Sequence, residues 1–227
     1  HDGALYGSAD VTTVESDTRL RATVKAGMLA GRALDLLVMN ANGITVLANA
    51  WTYNPLPTLE RVEPGAGPSA GATRITITGT GFTNFEAGQN TVKIGGVDVT
   101  DLRVLSDTTL TGLTPARPAG RTFDVTIANA NGTAELLRGY RYHPAPSILT
   151  LLPASGLLAG GTVLDIQGSG FVANDAGLAV VLVGAKPATN VIVISDQLVR
   201  ATTPAGTVLG AEDVKVMNAN GSATSVG

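Results

Sequence analysis

The stretch DVTIANANGTAELLRGYRY (124–142) holds Asn-Ala-Asn-Gly between two runs that read as strands. Val125 and Ile127 alternate with polar residues, which places them on one face of an extended chain. Asn-Gly supplies the positive φ angles of a tight turn at little steric cost. The stretch therefore predicts a hairpin. The same turn stands in VMNANG at 38–43 and again at 216–221, so Asn40, Asn129 and Asn218 follow one another at intervals of 89 residues.

The interval extends well beyond the turn. Phe82 of ITGTGF matches Phe171 of IQGSGF, Pro64 matches Pro153, Pro55 matches Pro144 and Tyr53 matches Tyr142. SDTRLRAT (16–23), SDTTLTGLTP (106–115) and SDQLVRATTP (195–204) form a further trio, with one extra residue in the first copy before Asp35. A fixed period of this kind marks a repeat architecture. Within the second copy, Leu59, Val62, Ile75, Ile77, Val92, Ile94, Leu110, Val125 and Ile127 form the expected inward set. In the third, Ile148, Leu151, Leu164, Ile166, Val181, Val183, Val199, Val214 and Val216 take equivalent places. Short alternating runs with turn signals about every ten residues predict β-sandwiches.

Composition agrees. Of 227 residues, 44% are hydrophobic and 15% charged, enough apolar material for packed cores. Twenty-eight glycines and eleven prolines without a three-residue period suit many turns. The net charge of −3 with dispersed Lys and Arg offers no basic stripe for nucleic acid. No apolar run reaches the roughly 18 residues that would insert in a membrane. The chain has no cysteine, which excludes disulfides and thiolate chemistry.

PSILTLLPASGLLAGGTVLDIQGSGF, VLVGAKPATNVIVISDQLVRATTPAG and DVKVMNANGSA resemble the IPT/TIG domain, an immunoglobulin-like fold. The resemblance covers essentially the whole chain, and SAGAT in the second copy departs slightly from LAGGT in the third. It implies an all-β protein of tandem immunoglobulin-like β-sandwiches in a rod-like array. Family members serve as spacers, adhesion modules, receptor ectodomain pieces and accessory domains of polysaccharide-acting enzymes. A cysteine-free tandem of equal period is most similar to an extracellular or cell-surface array of a bacterium.

The expected organisation is a partial domain at 1–54, a domain at 55–143 and a domain at 144–227 that lacks the end of its last strand. The first copy matches only the latter part of a unit. A half-sandwich exposes its apolar face and sheet edges, so either a longer array or a strand from a neighbouring chain is expected to cover it. YNPLP (53–57) and YHPAP (142–146) are the joints, where two prolines restrict the backbone. Trp51, Tyr53, Tyr140 and Tyr142 are the aromatic candidates for joint or partner contact.

The search for chemistry is short. His1 and His143 are the two histidines, with His143 read as an exposed linker residue, and neither suits a triad or a zinc site. GTGF and GSGF follow a strand without a helix behind them, so they lack the context of a phosphate loop. Asp17, Asp107 and Asp196, like Asp35, Asp124 and Asp213, recur in every copy, as turn and cap residues do. NGT (131–133) and NGS (220–222) are also glycosylation sequons, although the first copy reads NGI. The loops TNFEAGQN (83–90) and VANDAGLA (172–179) place Asn84, Glu86, Asn174 and Asp175 where a sugar or calcium ligand would bind, with few oxygen ligands for calcium. No catalytic, cofactor or resident metal site is expected. The expected function is a non-catalytic structural or adhesive segment that acts as spacer or self-associating module. The alternative is an accessory carbohydrate-binding module of a larger surface enzyme or receptor, with polysaccharide as partner.

Overall fold

The computed structural model describes residues 9–25, 30–207 and 209–227, and every regular element among them is a β-strand. Strand β1 (Ala9–Ser16) pairs with β2 (Arg19–Val24), and β3 (Ala33–Asn40) pairs with β4 (Gly43–Thr52), as two separate antiparallel hairpins. Val14 and Leu20 of the first hairpin stand exposed. Leu36 faces Leu47 and Leu37 faces Val46 across the second hairpin, and all four stand exposed. Residues 1–8 and 26–29 lie outside the described residues.

The next strands are β5 (Thr58–Glu63), β6 (Ala66–Pro68), β7 (Arg74–Thr80), β8 (Thr91–Ile94) and β9 (Val97–Asp98). They are followed by β10 (Thr100–Ser106), β11 (Thr109–Leu113), β12 (Thr122–Asn129) and β13 (Gly132–His143). They form two sheets, in the orders β10-β11-β7-β5 and β6-β13-β12-β8-β9. Ile75, Ile77 and Leu110 of one sheet meet Val92, Ile94, Val125 and Ile127 of the other in a single buried core. The alternation read from the sequence is what faces inward, because side-chain direction reverses at each residue of a strand. Val62 is buried with them and Leu59 is packed at the margin.

The third group repeats the arrangement. It contains β14 (Ser147–Leu152), β15 (Val163–Ser169), β16 (Val180–Val183), β17 (Lys186–Pro187) and β18 (Thr189–Ser195). It closes with β19 (Leu198–Thr202), β20 (Val214–Asn218) and β21 (Gly221–Ser225). The sheets run β14-β15-β19-β18 and β17-β16-β20-β21. Leu164, Ile166, Val181, Val199, Val214 and Val216 form their core. Among the described residues, the parallel pairing of β6 with β13 is seen in the preceding sandwich alone.

The Asn-Ala-Asn-Gly turns are two-residue hairpins, with Asn40 opposite Gly43, Asn129 opposite Gly132 and Asn218 opposite Gly221. Only the glycines have positive φ, at 144°, 131° and 134°. The asparagines do something else: each first Asn accepts, at Oδ1, the N–H of the Asn two residues on. This side-chain turn replaces the left-handed geometry expected from Asn-Gly. The Asn at the second turn position is thereby freed for another use.

Among the described residues, no helix is long and apolar enough to cross a membrane.

Candidate functional site

The end of each sandwich that receives the preceding linker is held by recurring carboxylates and amides. Asp107 accepts the N–H groups of Gly81, Thr83 and Asn84 at 2.9–3.3 Å. Asp196 does the same for Gly170, Val172 and Ala173. These main-chain donors pull both carboxyls below the usual aspartate range, although burial works the other way. The Gly-x-Gly-Phe loops thus explain why Ser-Asp recurs. Each loop leaves a nest of N–H groups that only an acceptor side chain can satisfy.

Asn129 ties the hairpin to the same loop by donating its Nδ2 to the Gly81 carbonyl at 2.9 Å and to Asn90 Oδ1 at 3.1 Å. Asn218 donates to the Gly170 carbonyl at 2.8 Å. A different aspartate meets the backbone at the other end of the last strand. The N–H groups of Asn49, Arg138 and Gly227 donate to Asp35, Asp124 and Asp213. Asn49 and Arg138 have positive φ, 53° and 52°, so the carboxylate stabilises a backbone shape that their side chains disfavour. Both aspartate series are structural.

The second Asn of the second and third turns belongs to the joint. Asn54, in the first linker, donates its Nδ2 to Asn131 Oδ1 at 2.8 Å and to the Phe85 carbonyl at 2.9 Å. Asn131 in turn donates to the Asn84 carbonyl at 3.3 Å. At the second joint, His143 Nδ1 lies 3.3 Å from Asn220 Oδ1, and Asn220 donates to the Asn174 carbonyl at 2.8 Å. Both pairs are 77 residues apart. His143 is buried, not an exposed linker residue, because the hairpin of the next sandwich closes over it. The glycines admit the linker: a Cβ on Gly132 would collide with Leu56, and one on Gly221 would press on Ala145.

The loop residues singled out in the sequence lie at these joints. Asn84 and Asn174 offer main-chain carbonyls to the hairpin amides, and Arg141 reaches Asn174 Oδ1 at 3.4 Å. Glu86 and Asp175 have positive φ and help turn the loop. Among the described residues, no three His, Cys, Asp or Glu side chains converge as metal ligands. Equal spacing of positions 54/131 and 143/220 was the signal available for the joint, but nothing local distinguishes a joint asparagine from a turn asparagine.

The aromatics divide. Trp51 and Tyr53 meet edge to face at 6.1 Å, with Trp51 exposed and the Tyr53 hydroxyl donating to the Lys25 carbonyl. Tyr140 and Tyr142 are fully buried inside their own sandwich, 5.0 Å apart, as the largest side chains of its core. They alternate with Arg141 on β13, so both point inward. Tyr142 donates its hydroxyl to the Pro115 carbonyl at 2.7 Å and meets Phe123 edge to face. Burial, reinforced by the neighbouring Tyr140, pushes the Tyr142 hydroxyl up to about 12. Their packing is within a sandwich, not between two.

Two segments, 57–142 and 146–227, match the family model of the IPT/TIG domain. Plexin-2 of Caenorhabditis briggsae is 34% identical over 110 residues, which are 48% of this chain and 6% of that protein. Plexin-2 of Caenorhabditis elegans is 34% identical over 108 residues, 47% of this chain and 6% of that protein. The chain thus matches a small part of these curated relatives' length. Among solved structures, the extracellular region of plexin A4 aligns at a TM-score of 0.41 and 21% identity, covering 81% of this chain and 19% of that one. SGBP-B from a xyloglucan utilisation locus in Bacteroides uniformis aligns at 0.33 and 20%, covering 76% and 49%. Scores at this level add nothing to the architecture described above.

Proposed function

The chain belongs to the IPT/TIG family, and from that premise we propose that it is a non-catalytic spacer segment of an extracellular or cell-surface protein, with domains at 55–143 and 144–227 and part of another at 1–54. The observation that carries this reading is the repeated joint. Asn54 with Asn131, and His143 with Asn220, hold successive sandwiches through equivalent contacts. A proline on either side of one residue stiffens each linker further. Joints of this kind transmit orientation from one module to the next, which is the property a spacer needs.

The plexin-2 relatives support an extracellular receptor-type setting. They are animal proteins, so a bacterial source is not part of the proposal. The recurring aspartates support a non-catalytic role, since their oxygens are taken up by main-chain donors. Self-association through uncovered strands is the second element of the proposal, motivated by the exposed apolar residues of the β3–β4 hairpin.

Small-angle scattering over a concentration series tests both parts. The spacer reading expects an extended particle with a narrow distribution of shapes, broadened by the double change Asn131→Ala with Asn220→Ala. A distribution already as broad in the unaltered chain would overturn it. Molecular mass independent of concentration would remove self-association alone.

A further inference from the structure

Strand β18 (Thr189–Ser195) closes one edge of its sheet, in the order β14-β15-β19-β18. The preceding sandwich has its counterpart β10 at the same edge, in the order β10-β11-β7-β5, so the edge position belongs to the fold. Among the described residues, the backbone of 189–195 pairs with β19 and bonds nothing beyond it. The side chains of TNVIVIS alternate. Val191 and Val193 pack against the core, whereas Ile192 and Ile194 face solvent, 58% and 49% exposed.

The two edges differ in charge. At the 89-residue interval β10 reads TDLRVLS, with Asp101 in the place of Asn190 and Arg103 in the place of Ile192. Asp101 draws in Arg74 at 2.6 Å and Arg103 at 3.1 Å, so a charged cluster lies across that edge. Charged side chains are a usual means of keeping an edge strand from pairing with another chain. In the last sandwich the ion pair has moved inward. Arg200, opposite Ile192, makes two bonds, at 2.7 and 2.8 Å, to Asp165 on the strand beyond. Strand β18 itself carries no charge.

An uncharged, alternating edge fits another edge of the same alternation and the same lack of charge, and a second copy supplies both. Two identical edges related by a two-fold axis run antiparallel, and each residue pairing occurs twice. Centred within 192–194, this pairing sets the isoleucines of both copies side by side on the outer face, where cross-strand neighbours cover one another. The same arrangement at β10 would draw Arg103 into the seam at a cost in hydration. The seam at β18 is short, because register shifts flank Ile192 and Val193 and bulges bend an edge. Two exposed isoleucines a side fall far below the roughly 20–30 residues a side of a stable interface. The pairing is accordingly weak and depends on concentration.

We propose that β18 is a self-association edge: two copies of the chain pair antiparallel through 189–195 and join their β14-β15-β19-β18 sheets into one continuous sheet. This deepens the association element of the proposed function, rests on it, and assigns its contact to β18. The spacer element is independent of it.

The test is sedimentation velocity of the whole chain over a concentration series, with amide hydrogen exchange at each concentration. The weight-average sedimentation coefficient is expected to rise with concentration, and the amides of 189–195 to exchange several-fold more slowly at the high end. Ile192→Glu and Ile194→Lys each place a charge on a solvent-facing side chain. Each is expected to abolish both effects with the melting temperature unchanged, whereas Ile192→Val retains them. Association that survives both charged variants, or that leaves exchange at 189–195 unaltered, overturns this inference alone. Association lost in Leu37→Glu and kept in Ile192→Glu also overturns it, assigning the contact to the β3–β4 hairpin. Absence of association at every concentration overturns the association reading and this inference together, while an extended, narrow particle in scattering still supports the spacer.

Discussion

Asn54 and Asn131 are 77 residues apart in the chain and 2.8 Å apart in space, and the bond between them links a linker to the hairpin of the sandwich it enters. His143 and Asn220 make the equivalent contact one period later, although the first partner has changed from an amide to an imidazole. What both joints retain is the acceptor: in each, an asparagine Oδ1 faces a nitrogen of the linker side chain. The imidazole donates there when Nδ1 carries the proton. A joint that keeps its geometry through a change of partner depends on the hairpin more than on the linker.

Replacement of that hairpin residue is therefore the informative change. Asn131→Ala and Asn220→Ala are expected to broaden the distribution of inter-sandwich angles. Each should cost the sandwich about 1 kcal/mol, the usual net worth of one or two lost hydrogen bonds. Scattering and urea unfolding, measured together, separate the two effects.

The first Asn of each turn should behave differently from copy to copy. Asn129 binds the Gly81 carbonyl and Asn90 as well as its own turn, whereas among the described residues Asn40 makes only the turn bond. Asn129→Ala is expected to cost about 1–3 kcal/mol, because a partly buried carbonyl loses its donor. Asn40→Ala should cost distinctly less. Equal losses in urea midpoint would contradict the locking role.

Acid should loosen the loops before the cores. Asp107 and Asp196 have lowered pKa values in the folded protein, owing to donated main-chain N–H groups. Their contribution is complete above the unfolded aspartate value, roughly 3.9, and is lost as pH falls through the folded value. Melting temperature is expected to drop below about pH 4, and by less in Asp107→Asn with Asp196→Asn, which is weaker at neutral pH. Identical acid profiles for the two proteins would refute the assignment.

Gly168 and Gly79 allow β14 and β5 to lie against the neighbouring strand. A Cβ at Gly168 would press on the Ser147 carbonyl and reach within 2.8 Å of Phe171, and at Gly79 on the Thr58 carbonyl in the same way. Gly168→Ala is expected to lose about 1–3 kcal/mol by overpacking in a urea titration. Gly161→Ala, at a position with open space but positive φ, tests backbone strain alone.

Tyr140→Ala removes one of the largest buried side chains of its core and should cost about 3–5 kcal/mol. The altered sandwich is then expected to unfold at lower urea than the following one, so a single coincident transition would contradict separate cores. Unaltered stability would place Tyr140 outside the core.

Strand positions and inward residues were legible without coordinates. Ile75, Ile77, Val125 and Ile127, and their partners 89 residues on, needed only the alternation of side chains along an extended chain. The Ser-Asp turns were equally plain, because a short acceptor side chain that recurs at a loop has few other uses. The burial of Tyr140 and Tyr142 was not legible. They alternate as core residues do, but their nearness to the proline linker reads equally well as a contact surface. The conformation of Asn-Ala-Asn-Gly departs from the Asn-Gly propensity for a related reason: propensity describes what a dipeptide allows, whereas Asn129 selects a turn by bonding its own backbone.

Periodicity in the residue string sufficed for the repeat, the strands and the two cores, since each follows from directions imposed locally along the backbone. Folding in three dimensions was needed to reveal the joint bonds and the buried His143. Those depend on how the ends of separate sandwiches meet. Neither leaves a local pattern, because the groups concerned lie tens of residues apart and are matched only by the closure of the sheets.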